Sequence, residues 1–349
     1  MGLVLAICTL GVLQIYSATR RTSWENVHYK QMAFIATGIL LMWVISQLDY
    51  HALLDRVPAL YLISLIGLLL VLGVGQVRHG ARRWIPLFGD TQLQVSEFVK
   101  VVLVLLVARY FSGLRTPTAT GADLLRIGGL VGAPMLLVML QPDLGTALSY
   151  VPIVAGGVLA AGFRWKHLAA LALAGALALP VAWWVLLPFQ RERLLTFANP
   201  ERDPLGHGYQ SIQSRIAVGA GRLWGTGIAK GTQTQLRFLP ETQTDFIFAA
   251  YAEEHGFTGV LLALSLYFVV LMRIIYNAQT AADRAGTFIC ICVCMLLLFH
   301  VLVNVGMVTG RMPVTGIPLP LMSAGGSSLW TLFLLLGLVN SVRLRRFVN

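Results

Sequence analysis

Ten apolar runs decide what this chain can fold into. Each is close to the roughly 20 residues that a helix needs to cross a bilayer. They lie at about 2–18, 31–48, 57–76, 94–112, 125–141, 146–162, 168–188, 247–275, 286–305 and 319–341. The runs are continuous rather than alternating, which argues against a β-barrel, and helices are the other structure that satisfies the backbone in lipid. With 57% hydrophobic and 12% charged residues, the sequence predicts an all-α, polytopic integral membrane protein.

The charged residues narrow the expected partners. The formal net charge is +11, which in a membrane protein indicates lipid head groups or anionic substrates rather than nucleic acid. An even number of spans puts both termini on one side, but Lys and Arg are nearly balanced between the two faces, so charge alone does not set the orientation. A face with many cations that is also the outer face is expected to bind a phosphorylated or diphosphate-linked lipid.

The four cysteines, Cys8, Cys290, Cys292 and Cys294, all lie within apolar runs. Their spacing gives neither a disulfide framework nor a zinc site, so we expect buried small hydrophobic side chains.

A long polar interruption, from about Gln190 to Asp245, separates the seventh and eighth runs. Loops of this length are usually functional or disordered, and this one is too rich in aromatic residues and turn signals for disorder. It ends with Asp245 at the start of the next apolar run. We predict that this carboxylate does chemistry at the membrane surface. The alternative is that Asp245, or Thr244 before it, only caps the following helix.

The interruption is basic, and its cations alternate with aromatic residues. The cations are Arg191, Arg193, Arg202, Arg215, Arg222, Lys230 and Arg237. Gln210, Gln213 and Ser214 precede Arg215 on a predicted short amphipathic helix, which could lie at the membrane interface and contact a substrate. Solvated surface charge is the alternative.

Ionisable residues inside spans are costly, and four places break this rule: the Glu97–Lys100 pair, Asp143, Asp245 and an acidic group in the eighth run. Glu97 and Lys100 lie three residues apart, so they share a helix face and can pair. The pair is either structural or orients a substrate phosphate or a nearby acid. Asp143 follows Pro142 at a helix start, where capping competes with a role at a substrate or cation site.

A further acidic group lies within the eighth run. Glu253, Glu254 and His255 precede Gly256, which is expected to interrupt the helix. We expect a polar seam packed against neighbouring segments, with a substrate role as the alternative. Near the C-terminus, the Gly-Gly-Ser-Ser turn of residues 325–328 could offer free N–H groups to a phosphate.

Several segments, in order along nearly the whole chain, resemble the SEDS family (shape, elongation, division and sporulation proteins). They are Arg83-Trp84-Ile85-Pro86, Ser96-Glu97-Phe98-Val99-Lys100, Gln141-Pro142-Asp143-Leu144-Gly145-Thr146, Gly208-Tyr209-Gln210, Leu239-Pro240-Glu241, Thr244-Asp245-Phe246-Ile247-Phe248 and the segment from Pro313 to Pro320. Residues 231–236 look like the elongation type rather than the division type. The sequence departs from the family pattern at Val95, Ala324 and Arg311.

The resemblance implies a single transmembrane domain over 1–349, with ten spans, both termini cytoplasmic and the long loop outside. It also implies a peptidoglycan glycosyltransferase that polymerises lipid II in the bacterial inner membrane, with Asp245 as the catalytic residue. The family's intramembrane pair corresponds to Glu97 and Lys100, and its Gln-Pro-Asp acid to Asp143. A class B penicillin-binding protein is the implied partner.

On this hypothesis Asp245 acts as general base in an inverting transfer that releases undecaprenyl pyrophosphate. Lys30, Arg83, Lys100 and loop arginines are candidates to hold the diphosphate, and Trp84 and Thr244 lie in the matching motifs. A divalent cation (Mg²⁺ or Mn²⁺) is an alternative source of charge, and no other cofactor is expected. The rival hypotheses are a flippase for the lipid-linked precursor, which intramembrane charges and broken helices would suit, and a scaffold for a partner synthase.

Overall fold

The computed structural model describes residues 1–20, 22, 24–78, 81–86, 92–114, 118–162, 184, 188–204 and 206–347. Its helices before residue 163 are α1 (Gly2–Thr19), α2 (Val27–Gln47), α3 (Tyr50–Asp55), α4 (Val57–Val74), α5 (Val95–Ser112), α6 (Gly121–Leu140), α7 (Leu144–Ser149) and α8 (Val151–Ala161). The later helices are α9 (Pro188–Ala198), a 3-10 turn (Pro200–Arg202), α10 (His207–Ala220), α11 (Thr232–Gln235), α12 (Ile247–Gln279), α13 (Arg284–Val308) and α14 (Gly326–Leu344).

Among the described residues, eight helical segments are long and apolar enough to cross a membrane: α1, α2, α4, α6, the pair α7–α8, α12, α13 and α14. Helix α5 has 18 residues but carries Glu97, Lys100 and Arg109, which sets it apart from those eight. The predicted seventh span, 168–188, lies almost entirely outside the described residues. The multi-pass helical class is therefore confirmed, and the count of ten spans stays a prediction.

Two local predictions differ from the structure. The last span begins at Gly326, not at residue 319, because the stretch before it is not helical and folds around Ser323, whose Oγ accepts from Leu319 N at 2.8 Å. The second difference is a small antiparallel sheet, which an all-helical prediction does not contain. Its strands are β1 (Gln76–Arg78), β2 (Ala81–Pro86) and β3 (Gln92–Leu93), in the order β1-β2-β3.

The chain divides into two compact units, each built from separated stretches. Unit 1 comprises Met1–His28, Arg164–Tyr267 and Val301–Ala324. Unit 2 comprises Tyr29–Phe163, Phe268–His300 and Gly325–Asn349. The prediction of one transmembrane domain over 1–349 stays a prediction.

Helix α5 forms the centre of unit 2. It packs against α4, α8 and α14, and Leu103, Val104 and Val107 are fully buried. Gly157 on α8 allows this packing, because a Cβ there would lie 2.3 Å from Val107 Cγ1.

All four cysteines are free and buried, as predicted. Each lies in α1 or α13, among apolar side chains.

In unit 1, helix α12 breaks at Gly256, whose φ of 63° and ψ of −165° are not helical. A continuous helix would bond the N–H groups of Phe257 and Thr258 to the carbonyls of Glu253 and Glu254. The long polar interruption of residues 190–245, which we call the long segment, pairs with all four groups instead. Phe257 N donates to Arg222 O at 2.8 Å and Thr258 N to Leu223 O at 3.1 Å.

The two freed carbonyls are satisfied in the same way. Thr226 N donates to Glu253 O at 2.9 Å and Gly227 N to Glu254 O at 3.0 Å. Gly225 allows the close approach, because a Cβ there would lie 2.1 Å from Glu254 O. The backbone of the long segment therefore replaces the hydrogen bonds that α12 lacks at its break. The predicted interruption at Gly256 is confirmed.

Candidate functional site

Asp245 lies in a short non-helical connection that leads into α12. The helix begins two residues later, at Ile247, and Asp245 is half-buried. The preceding turn forms around Glu241, whose carbonyl accepts from Thr244 N at 3.1 Å and from Phe246 N at 3.3 Å. Thr244 Oγ1 also donates into this turn, to Glu241 O at 3.3 Å and Glu241 Oε2 at 3.2 Å.

Three successive carbonyls fix the backbone that carries Asp245. Ala324 N donates to Gln243 O at 2.9 Å, and Ser323 Oγ donates to Thr244 O at 2.7 Å. The third is Asp245 O, which accepts from Asn304 Nδ2 at 2.9 Å.

Asn304 joins this backbone to a second segment. The same Nδ2 donates to Ile317 O at 2.9 Å, and the side chain is fully buried within α13. Asn304 therefore holds the backbone of Asp245 against the connection that precedes α14.

The carboxylate of Asp245 rests beside that connection. A Cβ on Gly316 would lie 3.4 Å from Asp245 Oδ2, and Gly316 has a φ of 72°. Two arginines of the long segment contact the same connection. Arg193 Nη1 donates to Val314 O at 3.3 Å, and the Arg215 side chain packs against Gly310, where a Cβ would lie 2.7 Å from its Cδ.

The long segment carries the predicted amphipathic helix as α10. Gln210 and Gln213 are half-buried on it, and Arg215 is exposed. Ser214 is buried, and its hydroxyl donates to Ser211 O at 3.1 Å and Val308 O at 3.0 Å. Ser214 therefore anchors α10 to the end of α13, and its predicted contact with a substrate stays a prediction.

The acidic group of α12 holds the long segment in place. The buried Glu253 carboxylate accepts from Gln233 N at 2.8 Å and Thr234 N at 3.0 Å. Thr234 Oγ1 adds a third bond at 2.7 Å. Glu254 Oε1 accepts from Ser17 Oγ at 2.5 Å. These acids form the predicted polar seam.

In unit 2, Glu97 and Lys100 form the predicted ion pair. Lys100 Nζ lies 2.7 Å from Glu97 Oε1, and the two residues are 2% and 4% exposed. Each charge is therefore compensated by the other inside the helical core.

Asp143 caps a helix, which was the first of its two alternatives, and its role at a substrate or cation site stays a prediction. It caps α7, where its Oδ1 accepts from Thr146 N at 3.4 Å and its Oδ2 from Thr146 Oγ1 at 2.9 Å. Its carboxylate also accepts from Gln94 Nε2 at 2.6 Å and lies 3.2 Å from Arg83 Nη1. Asp143 thus connects β2 to the N-terminal ends of α5 and α7.

The remaining predicted residues of unit 2 lie on strand β2 and at the N-terminal ends of α2 and α14. Trp84, on β2, faces Gln76 on β1 and is half-buried. Lys30 is exposed in the first turn of α2. Two polar groups of the Gly-Gly-Ser-Ser turn bond to other parts of the protein. Ser327 Oγ accepts from Gln94 N at 3.0 Å, and Gly325 N donates to Gln31 Oε1 at 3.4 Å.

A second charged cluster of unit 2 lies between α3 and the turn joining α12 to α13. His51 Nε2 lies 2.8 Å from Asp283 Oδ2, and its Nδ1 lies 3.0 Å from Asp49 Oδ1. Partial burial acts to lower the pKa of His51, but the hydrogen bonds to both carboxylates outweigh it and raise that pKa. The backbone N–H of His51 donates to Asp49 and lowers the pKa of that carboxyl group.

The residues that sequence reasoning missed are Asn304, Ser323 and the Arg193 contact. Asn304 carried a signal, because an amide within an apolar run of α13 needs a partner. Ser323 gave none, and Arg193 was a candidate only as one of the loop cations, because the contacts of both depend on which distant backbone lies beside them.

Comparisons with known proteins identify the relatives of this chain. Residues 1–346 match the model of the FtsW/RodA/SpoVE family, described as cell cycle proteins. The peptidoglycan glycosyltransferase MrdB of Escherichia coli (strain K12) is 37% identical over 348 residues, covering 99% of this chain and 92% of that protein. The peptidoglycan glycosyltransferase RodA of Treponema pallidum (strain Nichols) is 31% identical over 418 residues, covering 98% and 96%.

Solved structures agree with these relatives. One chain of a peptidoglycan synthase complex, studied for its coordination of polymerisation and crosslinking, superposes with a TM-score of 0.84 and 36% identity, covering 99% of this chain and 97% of that one. The crystal structure of RodA from Thermus thermophilus gives a TM-score of 0.74 and 31% identity, covering 99% and 96%.

Proposed function

The chain belongs to the FtsW/RodA/SpoVE family of cell cycle proteins, and on that premise we propose that it polymerises lipid II, with Asp245 as the general base. The relatives MrdB and RodA are both named peptidoglycan glycosyltransferases, which supports this activity. The observation that supports the assignment of Asp245 is its backbone, which Asn304, Ser323 and Ala324 hold at three successive carbonyls. A positioned carboxylate is what general-base catalysis requires.

The proposed reaction is a single displacement. The 4-hydroxyl of a GlcNAc on the acceptor attacks the anomeric carbon of MurNAc on the donor, and the bond from that carbon to the diphosphate oxygen breaks. Asp245 takes the hydroxyl proton, and undecaprenyl diphosphate leaves with the bonding electrons. Because the attack comes from the face opposite the leaving group, the α-linked donor gives a β-linked strand.

The leaving diphosphate needs positive charge rather than an acid. Lys100 is poorly suited, because it is buried and paired with Glu97, and Arg83 is paired with Asp143. Arg193 and Arg215 are better candidates, since both contact the connection that reaches Asp245. Arg311, which departs from the family pattern, is exposed in the same connection.

A divalent cation fits this arrangement only with help from the substrate. Among the described residues there is no cluster of three or more His, Cys, Asp or Glu side chains that could hold a metal ion. Mg²⁺ commonly binds one or two carboxylates together with substrate phosphates. Asp245 could supply one carboxylate to such an ion, which would add positive charge beside the diphosphate.

Two further proposals follow from family membership. We place both termini in the cytoplasm, so that Asp245 meets the lipid-linked substrate on the outer face of the inner membrane. We also propose a class B penicillin-binding protein as partner, which agrees with the similarity to a chain of a peptidoglycan synthase complex.

The test of the proposed function is polymerisation of labelled lipid II by the purified protein in detergent. We expect glycan strands, because no sealed compartment is needed for glycosyl transfer. Transport of lipid II in sealed vesicles without any strand formed would favour the rival flippase and overturn the proposal. Strands that form only when a separate polymerising synthase is added would favour a scaffold.

A further inference from the structure

Residues 222–230 of the long segment form a rigid apolar projection, which we call the splice loop. Its backbone carries the four hydrogen bonds that replace the missing turn of α12 at Gly256. Positive φ angles at Arg222, Gly225, Gly227 and Ala229 give the loop its tight path. The loop cannot withdraw from α12 without leaving four polar groups of that helix unpaired, which is costly next to lipid.

Three large apolar side chains of the splice loop point away from the protein. Leu223 is 62% exposed, Trp224 81% and Ile228 64%. Such a cluster on a rigid loop usually marks an interaction surface. Exposed Arg222 and Lys230 flank it at either end.

The position of the splice loop along α12 identifies what covers this surface. Residues 257–279, which follow the break, make a helix roughly 34 Å long at about 1.5 Å per residue, enough for a hydrocarbon core of about 30 Å. The break at Gly256 therefore lies where α12 enters the membrane. The exposed apolar surface continues onto this part of α12, with Phe257, Leu261 and Leu262 each more than half exposed.

We propose that the splice loop is a membrane-interface anchor that inserts Trp224, Leu223 and Ile228 into the lipid surface beside α12. Indole rings favour the interface because one edge is polar and the rest apolar. Arg222 and Lys230 would reach the phosphates of anionic lipids while their stems stay against apolar surface. The anchor fixes the height of the long segment relative to the bilayer. This contact does not depend on the chemistry proposed for Asp245.

A spin label at position 224 tests the anchor directly. The Trp224→Cys variant would be labelled with a nitroxide in vesicles of phosphatidylethanolamine and phosphatidylglycerol. The native cysteines are buried, so the unsubstituted protein serves as the labelling blank. Glu201→Cys is the matched control, since Glu201 is an exposed residue of the same long segment outside the splice loop.

We expect the label at position 224 to collide more with oxygen than with a water-soluble nickel complex, and the label at position 201 to show the reverse. Equal, water-like accessibility at both positions would overturn the proposal. So would protection at position 224 that requires a partner protein and is absent in vesicles of the protein alone.

A label-free measurement guards against disturbance by the nitroxide. Brominated phospholipids quench tryptophan at the interface, and Trp224 is one of eight tryptophans. We expect Trp224→Phe to remove a quenchable component of the emission. An unchanged quenched fraction in Trp224→Phe would contradict insertion of this side chain.

Discussion

An experiment can decide whether the Glu97–Lys100 pair has a structural role or a substrate-binding role. At the observed 2.7 Å, the attraction is about 6 kcal/mol for an effective dielectric constant of about 20. Desolvation of two buried charges offsets most of that gain. Removal of one partner is different, because the other charge is then buried without compensation.

We therefore expect Lys100→Met to lower the free energy of unfolding by about 3–5 kcal/mol. Combining it with Glu97→Leu removes the second charge and replaces both side chains by apolar ones of similar size. The double variant is expected within about 1 kcal/mol of the unsubstituted protein, or above it. Lys230→Met, at an exposed lysine, should change stability by no more than about 0.5 kcal/mol.

The assay is detergent-micelle unfolding by heat and by SDS, with lipid II polymerisation measured on each folded variant. A stable double variant that still polymerises would assign the pair a structural role, and one that is stable but inactive would assign it to the substrate. The electrostatic reasoning itself would be refuted if Lys100→Met were as stable as Lys230→Met, or if the double variant were less stable than both single variants.

Three other perturbations have outcomes that the structure fixes. Gly225→Ala should destabilise the protein, because the added Cβ would lie 2.1 Å from Glu254 O at a φ of 83°. Gly219→Ala, with open space around its Cβ, should be neutral or stabilising by up to about 1 kcal/mol. Thermal unfolding compares the two variants. Asn304→Leu should lower polymerisation and stability together, since Asp245 O and the carbonyl of residue 317 lose their shared donor; unchanged activity would show that this bond does not position Asp245. His51→Gln should cost stability mainly at low pH, by no more than about 1 kcal/mol because the cluster is partly exposed.

The sign of the His51 effect follows from its raised pKa. A raised folded-state pKa gives stability that is fully present below the unfolded value of about 6.5 and is lost as pH rises through the folded value. The difference in melting temperature between the unsubstituted protein and His51→Gln should therefore be largest below about pH 6.5 and shrink as the pH is raised above it. A difference that grows over this range would mean that His51 is not held by Asp283 and Asp49.

The sequence supported those parts of the fold that depend on local composition. The positions of the described spans before the last one follow from apolar run length, the break at Gly256 from a glycine inside a helical pattern, and α10 from the amphipathic spacing of residues 207–220. The helix-capping and pairing options for Asp143, Glu97 and Lys100 follow from spacing of one helical turn. All of these are properties of a short stretch of chain.

The rest of the site depends on contacts between distant stretches. Nothing in residues 222–227 indicates that their backbone completes a helix some thirty positions later, and the sheet that carries Arg83 has strands too short to show alternation. The burial of Ser214 is a further example, because it depends on the end of α13, which is distant in sequence and covers this side chain. Tertiary packing, rather than local propensity, decides these positions.

The most direct test of the account is the turnover number of Asp245→Asn with saturating lipid II in detergent. Asparagine keeps the size of the side chain and leaves the backbone carbonyl of residue 245 able to accept the hydrogen bond from Asn304, but its amide cannot take the hydroxyl proton. We expect turnover to fall by about 10²–10⁴-fold while lipid II binding and the melting temperature stay unchanged, and Asp55→Asn, at an exposed aspartate of α3, to polymerise normally. Strand synthesis by folded Asp245→Asn at the unsubstituted rate would contradict the assignment of this carboxylate as the base.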